Sequence, residues 1–161
     1  MKRAAGLLLA GVMLFASTPI TAVSQDNDTC ISDTAKEACI EYGEQYGICP
    51  ELLMAVIEVE SRGRPDVKNG LCCGLMQISV KWHTDRMERL GVTDIFDERG
   101  NILVGVDYLA ELFEKYHEAS LVLDIYNGNS KAQENYENGI LSDYARSVLE
   151  RSAELEILHG K

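Results

Sequence analysis

Residues 50–65 read PELLMAVIEVESRGRP, and the two ends of this stretch carry the start and stop signals of a helix. Pro50 suits the first helical position, where its missing N–H costs nothing, and the closing Arg-Gly-Arg-Pro run ends the segment. At about 100° per residue, one stripe of the helix carries four side chains: Leu53, Val56, Ile57 and Glu60. The sequence therefore predicts a helix over residues 50–61 that carries one carboxyl group on its core-facing side.

Glu60 gives this helix a chemical meaning. A carboxyl group on an apolar face is costly to ionise, and desolvation raises its pKa towards the range that suits a proton donor near neutral pH. The alternative interpretation is that Glu60 lies at a frayed and solvated helix end. Glu58 points about 140° away from Leu53, so we expect it on the solvated surface.

The chain as a whole has the pattern of one mainly α domain. Its 161 residues leave room for a single core, and 46% hydrophobic with 25% charged residues is a composition typical of folded proteins. Strand-like alternation is absent, and Gly, Asn and Pro separate the helical segments. The predicted helices cover residues 34–45, 50–61, 80–90, 102–116, 121–126 and 142–157.

Residues 1–24 have the pattern of a signal peptide. Two basic residues precede an apolar run over residues 6–15, and the small residues that follow favour cleavage after Ala22 or Ser24. A membrane-spanning helix needs about 20 apolar residues, roughly twice the length of this run. We therefore expect a protein that is secreted, or otherwise extracytoplasmic and associated with the cell wall.

The mature chain is strongly acidic. Without its two N-terminal basic residues it has 13 Lys and Arg side chains against 26 Asp and Glu side chains, a net charge of about −13. Such a field repels phosphate backbones and anionic lipid headgroups. The sequence therefore argues against nucleic acid as a partner, and a partner must be recognised by shape and hydrogen bonds.

The cysteines lie in the first half of the chain and are five in number: Cys30, Cys39, Cys49, Cys72 and Cys73. Export permits disulfides, and an odd count leaves at least one thiol unpaired in a monomer. The pairing does not follow from the sequence. Our hypothesis is that Cys49 pairs with Cys72 or Cys73, while a Cys/His nucleophile formed with His83 is an alternative.

Two loops contain residues suited to binding a ligand. Gly70 and Gly74 permit close approach to the backbone, and the amide of Gln77 can both donate and accept hydrogen bonds. Residues 126–129 read YNGN. The alternatives are that Met76 belongs to the core and that the YNGN segment is a helix C-cap.

These short segments together form a pattern that resembles the catalytic domain of the soluble lytic transglycosylase (SLT) family. The matching segments are Glu60-Ser61 before Pro65, GLMQ at 74–77, Asn101-Ile102 with Gly105 and Tyr108-Leu109, Tyr126-Asn127, and Tyr144. They span about residues 49–148. The resemblance implies a single goose-type lysozyme-like domain, mainly α, which we place at residues 30–158.

The resemblance also implies a reaction. Enzymes of this family cut the bond between N-acetylmuramic acid and N-acetylglucosamine in peptidoglycan without water. Glu60 would protonate the glycosidic oxygen and then take the proton of the muramic C6 hydroxyl, which forms a 1,6-anhydro ring. Ordinary glycosidases use two carboxyl groups, whereas the helical stripe contains one.

The resemblance assigns roles to further side chains. The implied substrate-binding residues are Ser61, Asn69, Met76, Gln77, Tyr126, Asn127 and Tyr144. Gln77 and Asn127 would bond to the sugars or their acetamido groups, Met76 would pack against a sugar face, and the two tyrosines would line the cleft. Ser61 would support the loop beside Glu60. The chain departs from the family at Asn69, which stands near a usual Ser, and at Leu71-Cys72, which replaces Gly-Ala.

Other functions share these features. A lysozyme-like muramidase would use water as the nucleophile, and a non-catalytic glycan-binding or assembly protein would keep the cleft without turnover. A disulfide-rich interaction protein would have cysteines throughout, whereas the second half of this chain has none. By analogy with small secreted wall-lytic enzymes, we expect peptidoglycan strands as the partner and a secretion or conjugation apparatus as the machine served.

We expect no cofactor and no metal requirement. The three histidines, His83, His117 and His159, stand far apart, and no Cys-x-x-Cys pair is present. Lysis of purified sacculi should therefore proceed unchanged in EDTA. Loss of lysis in EDTA that a divalent ion restores would contradict this prediction.

Overall fold

The computed structural model describes residues 29–161, and the predicted signal peptide lies outside the described residues. The elements, in chain order, are α1 (Asp33–Tyr46), α2 (Pro50–Ser61), β1 (Lys68–Asn69), β2 (Cys72–Cys73), β3 (Ile78–Ser79), α3 (Val80–Leu90), α4 (Glu98–Tyr116), α5 (Ala119–Tyr126), α6 (Ala132–Glu137) and α7 (Asp143–Leu158). The predicted mainly α fold is confirmed. Within the described part of the chain, none of the helices has the length and apolar character needed to span a membrane.

Helix α2 has the bounds that the sequence predicted. It ends at Arg62, whose φ of 55° is left-handed and whose N–H donates to the carbonyl of Glu58 at 3.1 Å. Helix α4 begins earlier than predicted. The side chain of Asp97 caps it by accepting the N–H of Gly100 at 2.7 Å, which stabilises a first turn that has no apolar periodicity.

Two features of the fold escaped the sequence analysis. Helix α6 is six mostly polar residues, and the three strands have two residues each, so neither contains a measurable period. The strands pair antiparallel in the order β1-β2-β3, with Asn69 opposite Cys72 and Cys72 opposite Ser79. This small sheet gives a defined shape to the segment that connects α2 with α3.

Helix α2 lies at the centre of the core. Every side chain from Glu51 to Ile57 is buried, and those of Leu53, Val56 and Ile57 are fully inaccessible. Helices α1 and α7 pack against α2, and α4 packs against α1 and α5. Burial of each large aliphatic side chain contributes about 1.5–3 kcal/mol. The core therefore determines where the C-terminal end of α2 lies.

Asn101, in the first turns of α4, connects that helix to the small sheet. Its side chain is 1% exposed. The amide Oδ1 accepts the N–H of Met76 at 2.8 Å, and Nδ2 donates to the carbonyls of Cys73 at 3.0 Å and Ile95 at 2.8 Å. Gly74, with a φ of 76°, makes room for it, because a Cβ at that position would lie 2.2 Å from Nδ2. One buried amide thus satisfies three backbone groups that have no water to bond to.

Glu58 does not lie on the solvated surface, and that expectation is wrong. Its side chain is 14% exposed and accepts hydrogen bonds from Arg151 Nε at 2.6 Å and Nη2 at 3.3 Å. Glu58 Oε1 also accepts the N–H of Cys30 at 3.0 Å. Helix α7 and the start of the described chain therefore cover a face of α2 that helical periodicity alone assigns to solvent.

The proposed disulfide is absent from the structure, in which all five cysteines are free. Cys49 stands at the start of α2 and donates from Sγ to Glu51 Oε2 at 3.0 Å. The strands that hold Cys72 and Cys73 follow the other end of this 12-residue helix, about 18 Å along its axis. Burial raises the pKa of Cys39 to about 12, which keeps that thiol protonated.

The bonds of Asn101 predict a large effect of its removal. Asn101→Ala should lower the free energy of unfolding by about 3 kcal/mol, because it leaves several buried backbone groups without partners. Urea denaturation followed by circular dichroism would measure the loss. The control is Asn138→Ala, at an exposed amide that bonds to the carbonyl of Glu134, with an expected loss of about 0.5 kcal/mol or less. Equal losses in the two variants would contradict the prediction.

Candidate active site

A cleft of about 730 Å³ opens beside the C-terminal end of α2. Its walls come from α2, the small sheet, α3, α4 and the end of α5. The lining residues are Glu60, Asn69, Leu71, Cys72, Gln77, Ile78, Ser79, Trp82, His83, Arg86, Tyr108, Glu111, Ile125, Tyr126, Asn127 and Gly128. The cleft therefore combines one carboxyl group from the core helix with polar and aromatic side chains from four other elements.

Glu60 is partly buried at the edge of this cleft. Its Oε1 accepts a hydrogen bond from the hydroxyl of Tyr144 at 2.6 Å, while Oε2 has no hydrogen-bond partner among residues 29–161. Burial raises the pKa of Glu60, and the hydrogen bond from Tyr144 opposes this rise in part. A carboxyl group in this state can hold a proton at a higher pH than a solvated one, and can return as a carboxylate to accept one.

Tyr144 reaches Glu60 because the first turn of α7 is held in place. The hydroxyl of Ser142 accepts the N–H of Ala145 at 3.0 Å as an N-cap and donates to the buried carboxylate of Asp124 in α5. Burial and the nearby Glu60 carboxylate both raise the pKa of Tyr144, so its hydroxyl stays protonated and acts as the donor. Tyr144 is not among the lining residues, so it supports Glu60 from behind the cleft surface.

Gln77 lines the cleft in a left-handed backbone conformation, with a φ of 49°. Its Nε2 donates to the carbonyls of Gly74 at 2.8 Å and Val67 at 3.2 Å. These two bonds occupy both amide protons. Among the described residues no group donates to Oε1, so the side chain offers an acceptor to a ligand.

A row of rings extends along the cleft from Tyr126. The Tyr126 hydroxyl donates to the carbonyl of Met76 at 2.8 Å, which holds the ring against the loop after β2. The ring centroids of Tyr126 and Tyr108 are 5.5 Å apart, and those of Tyr108 and His83 are 4.6 Å apart. Aromatic rings are surfaces against which the apolar faces of sugars can pack. The cleft thus has an aromatic wall next to its carboxyl group.

The structure brings most of the expected site residues together at the cleft. Five of the eight line it: Glu60, Asn69, Gln77, Tyr126 and Asn127. Ser61, Met76 and Tyr144 do not. Ser61 is 1% exposed and donates to the carbonyl of Ile57 at 3.0 Å, and Met76 is 0% exposed and packs where a Cβ on Gly105 would meet its sulfur at 2.4 Å. Met76 is a core residue, which differs from its expected contact with a sugar face, whereas the supporting role expected of Ser61 beside Glu60 requires no contact with substrate.

Several lining residues were not among the expected substrate-binding residues, although His83 was considered as the partner of a nucleophilic cysteine. They include Trp82, His83 and Arg86 on α3, and Tyr108 and Glu111 on α4. Trp82 is 74% exposed and is the chain's only tryptophan, a signal available in the sequence. The direction of these side chains depends on how α3 packs across α4, which no local pattern reveals. Among residues 29–161, no cluster of three His, Cys, Asp or Glu side chains has an arrangement that could hold a metal ion.

Comparison with known proteins gives two findings. Residues 37–141 match the family model of the transglycosylase SLT domain. A protein of Enterobacteria phage PRD1 named "Transglycosylase" is 32% identical over 87 residues, which cover 53% of this chain and 31% of the phage protein. The chain therefore spans about a third of the length of that relative.

The Tyr144 hydrogen bond predicts a shift in the titration of Glu60. Tyr144→Phe should raise the pKa of Glu60 further, because burial remains while the hydrogen bond that stabilises the carboxylate is lost. NMR titration of carboxyl-labelled glutamate would measure the change. Tyr136→Phe, at an exposed ring outside the cleft lining, serves as the control. An unchanged or lowered pKa of Glu60 in Tyr144→Phe would contradict the prediction.

Proposed function

Because the chain belongs to the transglycosylase SLT domain family, we propose that it is a peptidoglycan lytic transglycosylase in which Glu60 is the single acid/base. The substrate is the glycan strand, cut between N-acetylmuramic acid and N-acetylglucosamine. The observation that carries this proposal is the state of the Glu60 carboxyl group. It is partly buried, has a raised pKa, is bonded to the protein through one oxygen and keeps the other available in a cleft.

A second carboxyl group, Glu111, also lines the cleft, but it differs in environment. Its side chain is 63% exposed, and Oε2 accepts from Arg86 Nη2 at 2.5 Å. Glu111 is bonded to a cation, whereas within the described part of the chain Glu60 is bonded only to a neutral hydroxyl. Glycosidases that use two carboxyl groups need both of them beside the scissile bond. The cleft therefore supports a reaction that one carboxyl group completes alone.

In the first half of the reaction, protonated Glu60 gives its proton to the glycosidic oxygen. The bond from that oxygen to the anomeric carbon of the muramic sugar breaks, and positive charge develops on the ring. The resulting Glu60 carboxylate stabilises this charge, while the Tyr144 hydroxyl continues to donate to Oε1 at 2.6 Å. The leaving chain departs with a new hydroxyl group.

In the second half, the same carboxylate takes the proton of the C6 hydroxyl of the muramic sugar. The C6 oxygen attacks the anomeric carbon and closes the 1,6-anhydro ring, and Glu60 is again protonated. No water enters the balance, and the enzyme returns to its starting state. Gln77, through its available Oε1, and Asn127 are positioned at the cleft to hold the sugars during both steps.

We place the enzyme outside the cytoplasm, associated with the cell wall. This part of the proposal rests on the pattern of residues 1–24 and on the location that the substrate requires. Local opening of the wall for a secretion or conjugation apparatus is the biological role that we propose by analogy with small enzymes of this type. The acidic surface suits a neutral glycan better than a polyanion.

Replacement of Glu60 by Gln tests the acid/base assignment. Glu60→Gln keeps the size of the side chain but removes the transferable proton, so we expect activity on purified sacculi to fall by more than about 10⁴-fold, since the group works in both half-reactions. Mass spectrometry of products from the unmodified enzyme should show muropeptides with 1,6-anhydro ends, one water lighter than reducing-end products. Reducing ends as the main product would instead identify a muramidase.

The control for this experiment is Glu58→Gln, two residues earlier in the same helix. The Glu58 side chain bonds to Arg151 on another face of α2 and does not line the cleft. We expect its activity to stay within a few-fold of that of the unmodified protein, measured well below the melting temperature of both variants. Full activity in Glu60→Gln would overturn the proposed site, and equal losses in the two variants would point to a general effect on α2.

A further inference from the structure

Helix α3 is distorted at the point where it meets the cleft. His83, with a φ of −120° and a ψ of 16°, departs from helical geometry and kinks the helix. The next residue, Thr84, donates from its hydroxyl to the carbonyl of Val80 at 2.9 Å, a bond of a kind that bends helices. His83, at this bend, and Trp82, directly before it, both line the cleft. The bend therefore lies where two consecutive aromatic side chains line the same cleft.

The imidazole of His83 has a defined tautomer. Arg86 Nε lies 3.3 Å from His83 Nδ1, and because a guanidinium can only donate, Nδ1 is the acceptor and carries no proton. Burial and the nearby Arg86 charge lower the pKa of His83, which favours the neutral ring near pH 7. The ring proton is then on Nε2. No acceptor for it exists among residues 29–161, so the cleft contains one fixed N–H donor without a protein partner.

Arg86 can hold His83 in this state because it is itself held. Its guanidinium donates from Nη1 to Asp107, which is 9% exposed, and from Nη2 to Glu111 at 2.5 Å. Asp107 also accepts from Arg89 at 2.7 Å. Burial alone would raise the pKa of Asp107, but the hydrogen bonds from Arg89 and Arg86 lower it, so it stays ionised. The positive charge of Arg86 beside His83 is thus neutralised by two carboxylates.

Two aromatic side chains lie beside the free donor, and Lys81 Nζ lies 5.0 Å from the ring centroid of one of them, Trp82. The ring of Tyr108 packs against His83 with centroids 4.6 Å apart, and the neighbouring Trp82 side chain is 74% exposed. An acetamido group presents a carbonyl acceptor next to a methyl group, which matches one N–H donor bordered by aromatic surface.

We propose that Trp82 and His83, with His83 oriented by Arg86, form a sugar subsite that recognises the acetamido group of an N-acetylated hexosamine. His83 Nε2 donates to the acetamido carbonyl, and the exposed indole of Trp82 covers the apolar face of the same sugar. The row of rings leads from Tyr126 through Tyr108 to His83, and we assign this subsite to a sugar other than the one that reacts. The subsite rests on the proposed function, since it extends the glycan cleft away from the bond that is cut.

The chain's only tryptophan makes this proposal directly measurable, because intrinsic fluorescence reports on Trp82 alone. The experiment uses Glu60→Gln protein, which removes turnover, titrated with N-acetylglucosamine hexamer and with cellohexaose. Both ligands are neutral, and they differ in the acetamido groups. We expect the N-acetylated hexamer to change the tryptophan emission and to bind more tightly than cellohexaose.

Substitution of His83 separates the hydrogen bond from the packing. His83→Phe keeps a ring against Tyr108 but loses the donor, and should weaken binding of the N-acetylated hexamer about fivefold to tenfold with little effect on cellohexaose. His83→Gln keeps an N–H donor and should recover part of the affinity. His117→Asn, at an exposed histidine outside the cleft, should bind both sugars like the parent. Circular dichroism melting establishes that each variant is folded.

Three results would overturn the subsite: unchanged affinities in both His83 variants, equal losses for the two sugars, or calorimetric binding without a change in Trp82 emission. Failure of the N-acetylated hexamer to bind would also overturn it. Digestion of sacculi by protein with intact Glu60 tests the proposed function separately. If sugar binding depends on His83 but no 1,6-anhydro products form, the subsite stands and the transglycosylase assignment fails. If 1,6-anhydro products form but substitution of His83 has no effect on sugar binding, the assignment stands and the subsite fails.

Discussion

The buried amide of Asn101 is the interaction on which the geometry of the cleft depends. It satisfies backbone groups at Cys73, Met76 and Ile95 at once, and so joins the small sheet to α4 where water cannot reach. The loop that it holds supplies Gln77 directly. The same loop presents the Met76 carbonyl to the hydroxyl of Tyr126, so the position of the aromatic wall follows from the same three bonds. A single side chain thereby couples the core to both sides of the cleft, because buried polar backbone groups must find partners.

Three polar side chains of the cleft, those of Glu60, Gln77 and His83, each bond to the protein through one atom and leave another atom available. Glu60 is bonded through Oε1, and its Oε2 has no partner among the described residues. Gln77 is bonded through Nε2, and its Oε1 has no partner there either. His83 accepts from Arg86 at Nδ1 and keeps Nε2. Bonds of this kind orient a group before a ligand arrives, so less conformational freedom is lost on binding.

Glu58 and Glu60 show how tertiary contacts separate two identical side chains on one helix. Arg151 and Tyr144 both belong to α7, which packs along α2, but Arg151 gives Glu58 a full positive charge whereas Tyr144 gives Glu60 only a neutral hydroxyl. Both carboxyl groups lose part of their solvation. Burial raises the pKa of Glu60, which has no ionic partner within residues 29–161.

The sequence by itself determined the mainly α fold and the bounds of α2, because Pro50 and the Arg-Gly-Arg-Pro run act through local backbone chemistry and the apolar stripe has a period that matches a helix. It also indicated Glu60 as the carboxyl group of interest. Only the tertiary structure decided that Glu58 is covered, that Met76 and Ser61 are core residues, and that His83 faces the cleft, because these outcomes depend on which elements pack together. Periodicity describes one helix in isolation, whereas burial of a side chain is a property of the helices packed against it.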